Sequence, residues 1–297
     1  MDKWRSPLRY PGGKMKLAPF LRKIVENNSE VNHYIEPFAG GGGIAINLLL
    51  NNLIDHITLN DFDIAIYCFW KTITENNSSF MNLFDSTPVT IDEWKKQKKL
   101  FSEMDMKNAN ELTEQEVVKF GFATFFLNRT NFSGILRGAT PIGGLSQRGK
   151  WKLDCEFNKD RLRPLLIRIG DYSDKITVSN LDMTIHLLDF RNASKSTLMF
   201  IDPPYVKQGK RLYLPIKDME DHQKLAEEIK QLKCNWILTY DDIDEIKSFY
   251  NFSTYRYIYS LQYKVKTHKS ATEFIAISKN LNFDFSNTIN IVKKLGK

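Results

Sequence analysis

The chain has 297 residues, 42% of them hydrophobic, and carries a net charge of +7. This length allows one large α/β domain or a core with an insertion, and no apolar run approaches the length of a membrane span. No secretory signal follows the N-terminus, and the three cysteines lack the spacing of a metal site, so we expect a cytoplasmic protein with reduced thiols. The positive charge permits a polyanionic partner.

A strand, a glycine turn and a helix follow one another near the N-terminus. The apolar pattern predicts a strand over 33–35, a glycine-rich turn at 36–43 and a helix over 44–50. This order is typical of dinucleotide-binding domains, in which glycines let a ligand approach the backbone closely. A second predicted strand, 57–60, ends at Asp61, where such domains place the acidic residue that binds a ribose. The pattern indicates a cofactor that contains adenosine.

The next predicted core strand, 176–179, lies more than 110 residues beyond Asp61, which is far longer than an ordinary connection. We therefore predict a catalytic core of residues 1–62 and 176–297 with an inserted subdomain, residues 63–175. After strand 176–179 comes Asp182, an acidic group expected at the same edge of the sheet, where it could accept from an adenine amino group.

The second half of the insert changes in composition. Its first part is predicted as helices, among them 114–127, and the stretch that follows is predicted as a β-hairpin in which glycines, amides, arginines and aromatics alternate. Between residues 127 and 168 there are nine basic and three acidic side chains. Arginines and amides suit phosphates and base edges, and aromatics can enter a base stack. A nucleic-acid contact is the functional interpretation, and a solvated hairpin is the alternative.

A buried parallel strand is predicted over 198–201, and Asp202, Pro203, Pro204 and Tyr205 follow it. The two prolines stiffen the loop and supply no N–H, so the carbonyl groups of this loop can remain free as acceptors. A carboxylate oxygen and a backbone carbonyl can take the two hydrogens of an aromatic amino group while Tyr205 stacks on its ring. We expect this arrangement to turn the nitrogen lone pair toward an electrophile.

Taken together, these motifs resemble the Dam-type (D12 class, α-group) adenine-specific DNA methyltransferases over roughly residues 6–278. The family order is aromatic-x-Gly-Gly-Lys, Phe-x-Gly-x-Gly, a target-recognition insert and Asp-Pro-Pro-Tyr. The matching segments are 10–14, 38–42, the insert and 202–205. The resemblance implies a doubly wound, Rossmann-like α/β methyltransferase core that uses S-adenosylmethionine, with an inserted helical and β-hairpin DNA-recognition subdomain.

The resemblance also implies roles for individual residues, including Asp61 for the ribose and Asp182 for the adenine of the cofactor. The expected cofactor-binding residues are Tyr10, Lys14, Glu36, Phe38, Gly40, Gly42, Asp61 and Asp182. The expected catalytic residues are Asp202, Pro203, Pro204 and Tyr205. The expected DNA-binding residues, taken from the resemblance and from the basic cluster, are Asn128, Arg129, Asn131, Phe132, Ser133, Arg137, Arg148 and Lys150.

The expected reaction is methyl transfer from S-adenosylmethionine to N6 of an adenine flipped out of double-stranded DNA. A cognate restriction endonuclease acting separately is compatible with it, and neither a membrane nor a metal is expected. The near alternatives are transfer to cytosine N4, to RNA adenine or to a protein glutamine. A cofactor-binding regulator of DNA without turnover is the alternative from another class. The stretch beyond Leu136 departs from the best-known members of the family, which leaves the recognition sequence open.

Overall fold

The computed structural model describes residues 5–9, 14–205, 218–260 and 272–296, and this part of the chain forms two compact units. The first, here called the helical unit, is drawn from Met1–Gly13, Gly40–Leu50 and Asp63–Asn180. The second, here called the sheet unit, is drawn from Lys14–Ala39, Asn51–Phe62 and Leu181–Lys297. The helical unit contains residues 63–175 together with the N-terminal segment and residues 40–50.

Regular elements alternate along the chain as an α/β fold requires. The strands are β1 (His33–Glu36), β2 (His56–Asn60), β3 (Ile176–Ser179), β4 (Thr197–Ile201), β5 (Asn235–Asp241), β6 (Tyr255–Ser260), β7 (Thr272–Ile277) and β8 (Asn290–Lys294). The helices are α1 (Ala18–Asn27), α2 (Gly43–Leu50), α3 (Ile64–Glu75), α4 (Asn77–Ser86), α5 (Ile91–Met104), α6 (Glu114–Thr130), α7 (Lys159–Asp171), α8 (Met183–Phe190), α9 (Met219–Lys230) and α10 (Asp244–Phe249).

Seven strands of the sheet unit lie in the order β2-β1-β4-β5-β7-β6-β8. The first four are parallel, and the last three run antiparallel to their neighbours. The chain moves from β1 to β2 on one side and returns to β4 on the other side of β1, so the strand order reverses between β1 and β4. In doubly wound sheets, ligands bind at the carboxyl ends of the strands at such a reversal. The fold class expected from the sequence is confirmed.

The sheet unit owes its core to apolar runs that are buried on both faces, as parallel strands require. All five residues of β4 are buried, and so are the first six residues of β5. Two helices pack beside them with side-chain caps at their first turns: Asp182 accepts from Thr184 N at α8, and Asp218 accepts from Asp221 N at α9.

Aromatic side chains cluster in the core of the helical unit around helix α6. Helix α6 has Thr113 as its N-cap, which forms a capping box with Glu116, and its apolar face is buried. Its Gly121 lets α3 approach closely, because a Cβ there would lie 2.4 Å from the carbonyl oxygen of Cys68. Around this crossing, Phe69 stacks on Phe125 with ring centroids 5.9 Å apart.

The structure differs from the sequence-based expectation after α6. That helix runs on to Thr130, and residues 131–158 form turns with one isolated bridge, between Asn131 and Pro141, instead of the expected β-hairpin. The physical reason is backbone conformation, because a ladder needs extended residues. Six positions in this segment have positive φ: Ser133, Gly134, Gly138, Gly143, Gly144 and Gln147.

Two absences can be stated for the described ranges. No helix there is long and apolar enough to cross a membrane. Within the same ranges, no group of three or more His, Cys, Asp or Glu side chains is arranged to hold a metal ion.

Candidate active site

Asp202 lies immediately after β4, and one of its two carboxylate oxygens is occupied. Oδ1 accepts a hydrogen bond from the Thr239 hydroxyl at 2.7 Å and lies 3.3 Å from the Lys14 ammonium. Oδ2 makes no hydrogen bond within the described part of the chain, and 21% of the side chain remains exposed. Burial raises the pKa of Asp202 to about 6, against the opposing effects of Lys14 and Thr239. A single acceptor oxygen is therefore left available.

Lys14 joins the residues of this region into one network. Its ammonium is buried, donates to the Tyr205 hydroxyl, and lies 3.7 Å from Oε2 of Glu273. Tyr259 donates to the same oxygen of Glu273 at 2.5 Å. Burial raises the pKa of Tyr205, and the negative charges of Asp202 and Glu273 raise it further, so its phenol stays neutral. Two carboxylates and one ammonium thus share a small buried volume.

Asn60, the last residue of β2, connects the loops at the carboxyl ends of neighbouring strands. Its side-chain amide donates to the carbonyls of Pro37, at 3.1 Å, and Leu181, at 3.0 Å. Its Oδ1 accepts from Leu181 N at 2.9 Å. Because Asp61 and Asp182 directly follow Asn60 and Leu181 in the chain, these three bonds hold the two carboxylates at the same edge of the sheet.

The other expected cofactor-binding residues of the sheet unit lie near this edge. Asp182 caps α8 through Oδ1, which accepts from Thr184 N at 2.9 Å, and its Oδ2 makes no hydrogen bond among the described residues. Asp61 is partly exposed at the end of β2, and Phe38, like Tyr205, packs against the apolar core of the sheet unit. Glu36 ends β1 and is buried.

The glycine turn belongs to the helical unit and is shaped by Trp70 of α3. Gly40 and Gly42 have φ values of 46° and 54°, which favour glycine. The Trp70 indole donates to the carbonyl of Gly40 at 3.0 Å, and a Cβ on Gly42 would lie 2.6 Å from its Cζ2. The space that a side chain on Gly42 would take is filled by protein, so the need for glycine there arises from packing. Tyr10 lies outside the described residues.

Two of the expected DNA-binding residues are buried supports of the N-terminal segment. The side-chain amide of Asn128 accepts from Arg9 N at 2.7 Å and donates to the carbonyls of Arg9 and Gly134, both at 2.9 Å. Arg129 is only 4% exposed and donates to the carbonyl of Pro7. Burial lowers the pKa of Arg129 to about 10. A phosphate contact requires an exposed donor, and neither side chain presents one in this structure.

Asn131 is buried in the same way. It accepts from the Trp94 indole at 2.7 Å and donates to the carbonyl of Ile135 at 2.7 Å, which fixes the turn after α6. Arg137 is also engaged within the unit. Its guanidinium forms a two-bond pair with Asp63, at 2.6 and 2.9 Å, and a second ion pair with Asp105. Burial lowers the pKa of Arg137, but its bonds to Asp63 and Asp105 outweigh burial and raise the pKa overall.

The remaining four expected DNA-binding residues lie on the surface. Phe132 is 66% exposed, next to Ser133, whose φ of 56° turns the chain outward. Arg148 and Lys150 are both exposed. These four residues, with Trp151, form what we call the basic-aromatic surface.

The loop that carries Arg148 and Lys150 is ordered by Gln147. The side-chain amide of Gln147 donates to the carbonyls of Ile142, at 2.7 Å, and Gly144, at 2.6 Å, and its oxygen accepts from Leu153 N at 2.8 Å. These bonds tie both ends of the loop together. Trp151 remains 64% exposed at its edge. The loop therefore presents cations and an aromatic ring from an ordered backbone.

Sequence reasoning missed four residues that build the site: Asn60, Thr239, Tyr259 and Glu273. Each lies within or at the end of a strand, where side chains usually serve the core. The available signal was a polar residue inside an otherwise apolar strand, as with Thr239 and Glu273. Their partners are distant in the sequence, so spacing could not reveal them.

Comparison with known proteins gives two kinds of similarity. The pattern of the D12 class N6 adenine-specific DNA methyltransferase family matches residues 10–268. The chain is 19% identical over 201 residues to Type II methyltransferase M1.LlaDCHI of Lactococcus lactis subsp. cremoris, which covers 67% of this chain and 64% of that protein. It is 25% identical over 216 residues to Type II methyltransferase M.MjaIII of Methanocaldococcus jannaschii, which covers 67% of this chain and 68% of that protein.

The similarity thus spans about two thirds of the length of each relative. The family match covers most of this chain and includes the glycine turn, the insert and Asp202 to Tyr205. The chain therefore belongs to the family of D12 class N6 adenine-specific DNA methyltransferases.

Proposed function

We propose that this chain is a site-specific adenine DNA methyltransferase, which transfers a methyl group from S-adenosylmethionine to N6 of adenine in double-stranded DNA. The observation that carries the proposal is the state of Asp202. Its Oδ1 is held by Thr239, and its Oδ2, which makes no hydrogen bond to any residue that the structure describes, can accept from an amino group. The carbonyl of Pro203 is the second acceptor, since two acceptors match the two hydrogens of the amino group.

The hydrogen-bond acceptors at the strand ends fit S-adenosylmethionine. The free oxygen of Asp182 can accept from the adenine amino group of the cofactor, and the partly exposed carboxylate of Asp61 can accept from the ribose hydroxyls. The bonds of Asn60 keep the loops that carry both carboxylates in register. The cofactor supplies a methyl group on a positively charged sulfur, so no covalent enzyme intermediate is required.

The protein contributes position and electrostatics. Asp202 and the Pro203 carbonyl hold the two amino hydrogens, and the ring of Tyr205 stacks on the base. The cofactor would supply the methyl group, and Asp202 would stabilise the positive charge that N6 would then carry. N6 then releases one hydrogen as a proton to the Asp202 carboxylate, and water takes it from there.

The basic-aromatic surface supports DNA as the partner. Arg148 and Lys150 are exposed cations, and Phe132 and Trp151 are exposed rings on the same chain segment. Cations bind phosphates, and aromatic side chains can enter a base stack when a base is flipped out. We assign Asn128, Arg129 and Asn131 to the support of this surface.

One experiment tests the reaction and separates its rivals. The chain is incubated with unmethylated plasmid DNA and S-adenosylmethionine, and the DNA is digested to nucleosides for mass spectrometry. We expect N6-methyladenine, with Asp202→Ala inactive. N4-methylcytosine would overturn the choice of base. Cofactor binding without any methylated nucleoside, in DNA or in a parallel RNA sample, would favour the regulator.

The same plasmid, sequenced by a method that detects methylated bases, yields the recognition sequence. The relatives named as type II methyltransferases support a role in restriction-modification, with an endonuclease of the same specificity that acts separately. We expect methylated plasmid to resist such an endonuclease. Cleavage of fully methylated plasmid by an endonuclease that recognises the same sequence would contradict this role.

A further inference from the structure

Glu273 is a buried carboxylate beside the site that no motif identifies. It lies on β7, where it pairs in register with Tyr259 of β6 and Asp241 of β5. Only 5% of the residue is exposed. A charged side chain at such a position is unfavourable unless specific partners compensate it, so its partners indicate its purpose.

The partners of Glu273 lead to the candidate catalytic residues. Its Oε2 accepts from Tyr259 at 2.5 Å and lies 3.7 Å from the Lys14 ammonium. Lys14 in turn lies 3.3 Å from Asp202 and donates to the hydroxyl of Tyr205. Lys14 therefore links Glu273 to Asp202 and Tyr205, and Glu273 also interacts directly with the phenol of Tyr205.

Among the described residues, this cluster contains two carboxylates and one ammonium: Asp202, Glu273 and Lys14. Glu273 acts electrostatically on Asp202. Because methyl transfer brings a positive charge to N6, a carboxylate placed near Asp202 favours the transition state over the ground state.

We propose that Glu273 is a positioning residue for methyl transfer: anchored by Tyr259, it holds the Lys14 ammonium so that Lys14 fixes Tyr205 and leaves one oxygen of Asp202 for the amino group. This proposal rests on the function proposed above. Without Glu273, Lys14 would be free to close on Asp202, compete for its second oxygen and neutralise its charge.

The decisive variant is Glu273→Gln. Glutamine keeps the size of the side chain and can still accept from Tyr259, so only the charge is lost. The matched control is Asp284→Asn, which removes one negative charge from an exposed ion pair with Lys23 in the same unit. Both variants are compared with the unaltered chain in single-turnover methylation of plasmid DNA, with cofactor and DNA affinities measured in parallel.

We expect Glu273→Gln to lower the single-turnover rate by roughly ten- to hundredfold, less than the loss of a group that contacts the reacting atoms. Both affinities should stay within about threefold, since the charge acts on the transition state and not on ground-state binding. Asp284→Asn should leave the rate unchanged. A Glu273→Gln rate equal to that of the unaltered chain, or a loss confined to affinity, would overturn the proposal.

The pH dependence of the methylation rate distinguishes an electrostatic role of Glu273 from a purely structural one, because only the first would shift it. Asp202 faces the cation of Lys14, the carboxylate of Glu273 and the phenols of Tyr34, Tyr205 and Tyr240. The charge of Glu273 raises the pKa of Asp202. Its removal should therefore shift the acid limb of the rate profile to lower pH, and an unmoved limb would count against the proposal.

Two further results keep the test decisive. If Glu273→Gln does not fold, Tyr259→Phe replaces it; loss of that donor should lower the rate in the same direction by a smaller factor, and an unchanged rate would refute the proposal. If the unaltered chain transfers no methyl group, both the proposed function and this inference are refuted. A chain that methylates adenine normally with either variant overturns this inference alone.

Discussion

The hydroxyl of Thr239 donates a hydrogen bond to Oδ1 of Asp202 at 2.7 Å, between the ends of the neighbouring parallel strands β5 and β4. This bond occupies Oδ1 and so decides which carboxylate oxygen remains for the proposed contact with the substrate. It also lowers the pKa of Asp202, against the larger effect of burial. The hydroxyl therefore has both a geometric and an electrostatic effect on the site.

We expect Thr239→Val to slow methyl transfer by about tenfold, because the Asp202 carboxylate that accepts from the target base would then be less ordered. Loss of the hydrogen bond should also raise the pKa of Asp202 and move the acid limb of the rate profile to higher pH. Thr239→Ser keeps the hydroxyl and serves as the control. The measurement is the single-turnover rate between pH 5 and pH 8, and a Val profile that matches the Ser profile would contradict the assignment.

The raised pKa of Asp202 has a consequence for stability. Its folded-state value of about 6 exceeds the ordinary value of 3.8, so protonation favours the folded state. This contribution is complete below pH 3.8 and is lost as the pH rises through 6. We expect Asp202→Asn to be inactive yet to melt roughly 2–4 °C higher at pH 8, a gain on the order of 1 kcal/mol. Thermal unfolding at pH 8 and pH 4 tests this, because the difference should vanish at the lower pH.

Gly42 and Gly144 illustrate two physical reasons for a glycine, which are backbone conformation and lack of space for a side chain. Both have positive φ, 54° and 71°, but a Cβ on Gly42 would meet Trp70 whereas a Cβ on Gly144 meets nothing within 4 Å. We expect Gly144→Ala to destabilise the chain by about 1 kcal/mol through backbone strain alone. Gly42→Ala should lose roughly 1–3 kcal/mol more through the clash. Urea unfolding measures both, and equal losses would show that Trp70 moves aside.

Surface and buried arginines should respond differently to salt. Arg148→Ala and Lys150→Ala should each lower the slope of log affinity against log salt concentration by about one unit, because each removes one phosphate contact. Arg129→Ala should leave that slope unchanged and lower the melting temperature, since its guanidinium is buried against the carbonyl of Pro7. Equilibrium binding to duplex DNA over a range of salt tests both statements. A reduced slope in Arg129→Ala would place that residue on the DNA after all.

Much of the sheet unit could be predicted because its strands are apolar runs that end in polar residues. Predicted strands 33–35, 57–60 and 198–201 correspond to β1, β2 and β4 within one residue at either end. The predicted helix 44–50 corresponds to α2 within one residue at its start. The short helix α10 and the polar edge strand β8 were missed, since neither carries a clear apolar period.

The insert was harder to predict because tertiary contacts override local patterns there. Arg129 and Asn131 are residue types that suit a DNA contact, but Arg129 donates to the carbonyl of Pro7, and Asn131 donates to that of Ile135 in the turn after α6. Arg137 likewise belongs to an ion pair with Asp63, 74 residues away in sequence. A sequence shows that such a donor exists, whereas only the folded chain shows which acceptor it meets.

The contact between Gly42 and Trp70 limits how this protein can be recombined with its relatives. If residues 63–175 are the recognition insert that we propose, their exchange would give a chimera of new specificity, yet that segment contains Trp70, whose indole packs against the glycine turn. An insert taken from a relative with a smaller residue at position 70 would leave a void beneath the glycine turn. An insert with a differently placed ring at this position would clash with the turn. Crossover points that transfer residues 40–50 together with the insert would keep the pair intact.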